Sequence, residues 1–183
     1  MTIPLRTSLL LLLFLAPFWA FSQVNSSLGL EDQMDNAYEK FLRGEYRAAI
    51  QDFNKIIALH KTHPEAFFLR GLCFSNLRDE GEAIKDFTNA LELNPTYKEA
   101  LVERAYSKTN IDDFDGALSD YAAALKLDPG YAEVYFNRGT LYYELDQDDK
   151  ACIDWKKACE LGIKVAKEVL EQFCTECDAE LDK

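Results

Sequence analysis

The chain has 183 residues, 48% of them hydrophobic and 28% charged, with only 8 Gly and 5 Pro. That composition excludes a collagen-like or disordered chain and supplies enough apolar side chain for a packed domain. The 20 Lys and Arg face 32 Asp and Glu, a net charge of -12, which removes any bulk attraction to nucleic acid or an anionic membrane. With 2 His and 5 Cys the raw material for a metal or catalytic centre is thin, so a binding protein is favoured over an enzyme.

The chain opens as an address. Arg6 is followed by the apolar run Leu9 to Ala16, and the small residues Ala20 and Ser22 suit cleavage before Gln23. The stretch from Ser8 to Phe21 is shorter than the roughly 20 apolar residues that span a bilayer. Residues 1–22 are therefore expected to be a cleaved signal peptide and 23–29 a flexible leader. The protein is expected to be exported, periplasmic or secreted, with no membrane span left after cleavage. The Ser-Gln junction points to a Gram-negative envelope.

A period of 34 residues runs through the rest. Ala49-Ile50-Gln51-Asp52-Phe53 returns as Ala83-Ile84-Lys85-Asp86-Phe87, Ala117-Leu118-Ser119-Asp120-Tyr121 and Ala151-Cys152-Ile153-Asp154-Trp155. Leu93-Asn94-Pro95 and Leu127-Asp128-Pro129 keep the same register. Apolar residues at three- and four-residue spacing make each unit two amphipathic helices. Gly71, Ala105 and Gly139, with Ala90, Ala124 and Ala158, let helices approach closely. Asp79 with Glu82 resembles a capping box, and Asp112-Asp113 and Asp146 are expected N-caps. One unit cannot bury its apolar face, so the units must stack and the stack must be capped. The expected cap turns Val165, Val169 and Phe173 inward and Lys167, Glu168 and Glu171 outward.

Phe67, Gly71, Phe74, Ala83, Phe87 and Pro95 match, position by position, the pattern of the tetratricopeptide repeat, and the chain resembles that family. Leu101, Ala105, Ala117, Tyr121 and Pro129 match next, with Lys108 in place of Tyr; Tyr135, Gly139, Tyr142, Ala151 and Trp155 match in the last copy. The first copy departs from the pattern in its opening helix, at Gln33, Asn36 and Lys40. The resemblance implies an all-α, right-handed α-solenoid of four helix-turn-helix repeats, 30–63, 64–97, 98–131 and 132–163, plus a capping helix in 164–183.

It also implies a concave groove lined by the first helix of each repeat. Carried over by position, that face holds Phe68, Leu72 and Asn76, then Val102, Tyr106 and Asn110, then Phe136, Asn137 and Tyr143, with Met34, Tyr38 and Phe41 at its start. Family members that grip carboxylate tails carry cations and amides where this chain has Glu65, Glu99 and Glu133, so that clamp is not expected. The groove suits a protein or peptide ligand with apolar anchors and basic flanks, and neither nucleic acid nor a cofactor. The function read from the sequence is a non-catalytic scaffold. A self-associating structural solenoid is the alternative.

Arg70, Arg104 and Arg138 recur in the first helices, and Asp52, Asp86, Asp120 and Asp154 in the second. Pairing each Asp with the Arg of the following repeat closes three pairs, Asp52–Arg70, Asp86–Arg104 and Asp120–Arg138, and an inter-repeat ionic ladder is expected. Export permits disulfides. Cys152–Cys174 is the favoured bridge between last repeat and cap, with Cys159 as competing partner. Cys174-Thr175-Glu176-Cys177 has redox-motif spacing without the strand-to-helix setting that chemistry needs, and His60 and His63 lack further ligands. A thiol- or metal-dependent module on those residues is the least favoured reading.

Overall fold

A computed structural model describes residues 29–174. The expected signal peptide, nearly all of the leader, and Cys177 lie outside the described residues. Within them the chain forms nine helices and no strand: α1 (Leu30–Leu42), α2 (Tyr46–Leu59), α3 (Pro64–Asn76), α4 (Glu80–Leu93), α5 (Lys98–Thr109), α6 (Phe114–Leu127), α7 (Ala132–Glu144), α8 (Asp148–Glu160) and α9 (Lys164–Phe173). They stack as four antiparallel pairs and a terminal helix, an all-α solenoid.

Each pair is joined by the same turn. The amide of the residue before the second helix bonds back into the first: Glu45 to the Lys40 carbonyl at 2.9 Å, Asp79 to Phe74 at 3.0 Å, Asp113 to Lys108 at 2.9 Å and Gln147 to Tyr142 at 2.9 Å. This closure requires a left-handed residue just before it. Gly44, Arg78, Asp112 and Asp146 supply it, with φ of 76°, 62°, 62° and 56°. Asp146 is thus the left-handed residue rather than an N-cap, and Gln147 takes the N-cap position of α8 without a side-chain bond to its amides. Asp79 and Asp113 do cap, accepting from the amides of Glu82 and Gly116.

The core runs through the stack as the pairs interleave. Ala49, Phe53, Ile56, Ala66 and Cys73 fill its N-terminal part, Ala100, Ala105, Tyr121 and Leu141 its centre, and Ala151, Trp155 and Leu170 its C-terminal part. Gly71 and Gly139 admit an aromatic ring against the helix backbone. A Cβ at those positions would stand 2.7 Å from Phe87 and 2.8 Å from Trp155.

The degenerate first helix has a physical reason. Later repeats turn Ala66, Ala100 and Val134, then Cys73, Ser107 and Leu141, onto the preceding unit, and all six are buried. The matching residues of α1 are Asp32 and Glu39, both exposed, and Glu39 pairs with Arg43 at 2.7 Å. Charged residues on that face end the stack there. At the other end α9 buries Ala166 and Leu170, and Cys174 just after it is buried too, while Val165 and Phe173 stay largely exposed. The inward row is thus one residue later than the sequence suggested for those two positions, in phase with the bridged Cys174.

The ion pairs also correct the expected ladder: they close within repeats, not between them. Arg70 grips Asp86 through Nε and Nη2 at 2.7 and 2.6 Å, Arg104 grips Asp120 at 2.8 and 2.7 Å, and Arg138 grips Asp154 at 2.7 and 2.8 Å. Asp52, which the expected scheme gave to Arg70, is met by Lys40 and by Lys55 instead. Burial raises the Asp52 pKa, but the two lysines more than reverse this and leave it below the ordinary value. Two of the arginines still link repeats through a third nitrogen: Nη1 of Arg70 donates to Asn54 at 2.6 Å, and that of Arg104 to Thr88 at 3.1 Å. In the first repeat Asn36 stands at the arginine position, and Lys40 meets Asp52 instead.

Candidate protein-binding groove

Helices α1, α3, α5 and α7 form one layer of the stack. α1 touches α3 and α3 touches α5 directly, which places this layer on the inner side of the curve. Of the groove residues read from the sequence, Tyr106 is 44% exposed and Tyr143 39%, and Tyr38 at the start of the trough is 42% exposed. Phe68 is half-buried, its ring 4.9 Å from Tyr97 and 5.9 Å from Phe87, so it forms the floor. Leu72, Phe136 and Asn137 are half-buried as well. Asn76 lies at the rim with its amide on the Leu72 carbonyl at 2.8 Å, and Asn110 donates to the Glu80 carboxylate at 2.8 Å. Val102 is placed differently from the sequence expectation: it is 9% exposed and belongs to the central core cluster. At the C-terminal end the Tyr143 ring meets that of Phe173 in a tilted contact, centroids 4.9 Å apart, and Phe173 is a residue the family pattern does not include because it comes from the cap.

The charge on this face is one-sided. Every lysine and arginine of α3, α5 and α7 is engaged with an aspartate: Arg70 with Asp86, Lys98 with Asp128 at 2.6 Å, Arg104 and Lys108 with Asp120, Arg138 with Asp154. Glu65, Glu99 and Glu133 stand in the first turns of their helices, where the helix dipole favours an anion. Tyrosines interleave with them. Burial, with the charges of Glu65 and Glu99, pushes the Tyr97 phenol up to about 12. Tyr131 is raised likewise, by burial first and then by Glu99 and Glu133.

Glu103 sits deepest in this row. Burial first, then the like charge of Glu133, holds its pKa above the usual carboxylate value. Its native state therefore binds a proton more tightly than the unfolded chain does. Ionised Glu103 costs stability at neutral pH, and the cost is relieved as pH falls through the raised pKa. Glu103→Gln is expected to raise the melting temperature by about 2 °C at pH 7 and to change it little at pH 4. A variant less stable than the parent at pH 7 would show that the carboxylate is compensated.

The other sequence candidates take structural places. His63 caps α3, its Nδ1 accepting from the Ala66 amide at 3.3 Å, and His60 ends α2. Cys73 is fully buried, and burial with the charge of Asp86 pushes its thiol up to about 12, far from a reactive thiolate. Cys174 is bonded to Cys152, with Cα atoms 5.8 Å apart, and Cys159 is a free thiol. Among the described residues no helix is long and apolar enough to cross a membrane.

Sequence profiles described as tetratricopeptide repeat match residues 64–97 and 132–161, and one described as TPR repeat matches 112–146. No curated protein matches the chain significantly. Among solved structures, a crystal structure of MamA is 24% identical with a TM-score of 0.72, covering 81% of this chain and 88% of that one. MamA 41-end from Desulfovibrio magneticus RS-1 is 18% identical with a TM-score of 0.70, covering 78% and 79%. The first TPR of Spaghetti (RPAP3), bound to the HSP90 peptide SRMEEVD, is 21% identical with a TM-score of 0.62, covering 64% and 93%. At these identities the likeness is one of fold. Matched profiles, solved folds and the repeated turn and core geometry agree, and the chain belongs to the tetratricopeptide-repeat family.

Proposed function

We propose that the protein is an exported, non-catalytic scaffold that binds a protein segment with apolar anchors and basic flanks in the groove along α1, α3, α5 and α7. The observation that carries this reading is the row of exposed tyrosines, Tyr38, Tyr106 and Tyr143, set among carboxylates whose neighbouring cations are engaged elsewhere. Aromatic side chains exposed together on a concave face mark an interaction surface, and one sign of charge selects the partner. A fold neighbour with a peptide bound supports the mode of use. That peptide, SRMEEVD, carries three acids and would be repelled by Glu99, Glu103 and Glu133. The residues of the amino-terminal address support the export half of the proposal.

The test is a titration with two peptides, SRMEEVD and a lysine-bearing counterpart, SRMKKVK. The basic peptide is expected to bind, more weakly as salt rises, and the acidic one not. Tyr106→Ala with Glu103→Gln is expected to weaken the basic peptide about tenfold without unfolding the protein. Equal binding of both peptides, or binding indifferent to these substitutions, would move the interaction surface off the groove.

A further inference from the structure

α9 is short, and its last turn is held differently from its first. Ala166 and Leu170 anchor the first part in the core, while Glu171, Gln172 and Phe173 are exposed. Cys174, directly after the helix, is buried and covalently joined to Cys152 in α8. Phe173 packs its ring 4.9 Å from Tyr143 and 6.2 Å from Trp155, and those two rings lie 5.5 Å from each other. Tyr143 belongs to the groove face and Trp155 to the second layer, so Phe173 is where the cap meets the binding surface. A terminal turn of a ten-residue helix frays in water unless something ties it down. Here the tie is the bond at the next residue.

We propose that the Cys152–Cys174 disulfide is a redox latch on the groove: it holds Phe173 in place as the last aromatic wall, and its reduction opens that end and weakens ligand binding. A dithiol reductant supplies what the step needs. Its thiolate attacks one sulfur of the bridge, the S–S bond breaks, and the second reductant thiol resolves the mixed disulfide. Cys152 and Cys174 end as thiols, having gained two electrons and two protons, and the reductant ends as a disulfide. Leu170 keeps α9 docked, so the change is confined to the last turn. The loss is one of pre-organisation: a side chain already held in place need not be ordered when ligand arrives, which is worth about three- to tenfold in affinity. The affinity half of the inference rests on the groove being the binding surface.

The chain from Gln23 to Lys183, whose one tryptophan is Trp155, is oxidised or treated with dithiothreitol and followed by tryptophan emission, by amide exchange over residues 171–174, and by titration with the peptide SRMKKVK. Reduction is expected to shift the Trp155 emission to the red, speed exchange in that turn and weaken the peptide about three- to tenfold. Phe173→Ala, oxidised, is expected to bind as weakly as the reduced parent and to lose its response to reductant. Cys152→Ser is expected to behave as reduced without any reductant. Unchanged emission and exchange on reduction overturn the latch, whatever the peptide does. Emission that responds while both redox forms bind the peptide equally overturns the gating and leaves the groove reading standing. A peptide bound by neither form defeats the groove reading, and the gating falls with it.

Discussion

Arg138→Ala is expected to cost about 3 kcal/mol and to lower the melting temperature by roughly 10 °C, whereas Arg104→Ala costs only about 1 kcal/mol. The two arginines hold their aspartates by the same fork. They differ in what remains. Asp154 is 4% exposed, and removing the guanidinium leaves its carboxylate buried without that cation. Asp120 keeps Lys108, whose Nζ lies 2.8 Å away. Arg138 also lies 5.7 and 5.8 Å from the ring centres of Tyr135 and Tyr142, contacts that vanish with it. Thermal melts of the two variants under identical conditions decide the matter. Equal losses would mean that Lys108 does not compensate. Replacing both members, as Arg138→Met with Asp154→Leu, is expected to recover most of the stability, because a buried ion pair repays little more than its own desolvation.

Gly71→Ala is the second large effect, and it runs against helix propensity. Alanine favours a helix interior by about 1 kcal/mol over glycine. The new Cβ, however, would stand 2.7 Å from Cε1 and 2.9 Å from Cδ1 of Phe87. Phe87 is fully buried and has no solvent-facing rotamer to retreat to. Forced overpacking of this kind costs about 3 kcal/mol, so a net loss of about 2 kcal/mol is expected. Gly81→Ala is the internal control. Nothing lies within 4 Å of its Cβ, so propensity acts alone and the change is expected to stabilise by about 0.5 kcal/mol. Phe87→Leu on the Gly71→Ala background should restore part of the loss, since the shorter side chain vacates the space the methyl enters. A Gly71→Ala protein as stable as the parent would show that the two helices can separate without cost.

Both effects bear on the groove. The arginine forks, with the glycine–aromatic contacts at Gly71 and Gly139, set the distance and angle between the two helices of the pairs that carry them, and through them the placing of Tyr106 and Tyr143. A loosened pair would therefore weaken binding of SRMKKVK without any change to a residue that touches it.

How much was legible beforehand differs by kind of residue. The period, the helix pairs, the small residues at close approaches and the need for a cap could all be read from spacing, because each repeat solves the same packing problem with the same residue types. The misread ion pairs show where that logic stops. Counting three arginines against four aspartates favoured pairing between repeats, but Lys40 meets Asp52 and the fork closes across each antiparallel pair. Val102 was placed by analogy of position, and only its packing in the central core shows it buried. Phe173 had no pattern to announce it as a groove residue. It reaches Tyr143 because a separate helix folds back there.

The sequence alone determined the architecture, since a 34-residue period of amphipathic helices has one way to bury its apolar faces, and it determined the acidity of the surface. Only the tertiary structure decided which charges neutralise one another and which remain for a partner. Periodicity specifies the face of a helix on which a side chain lies. The partner it meets depends on distances between helices, which packing sets.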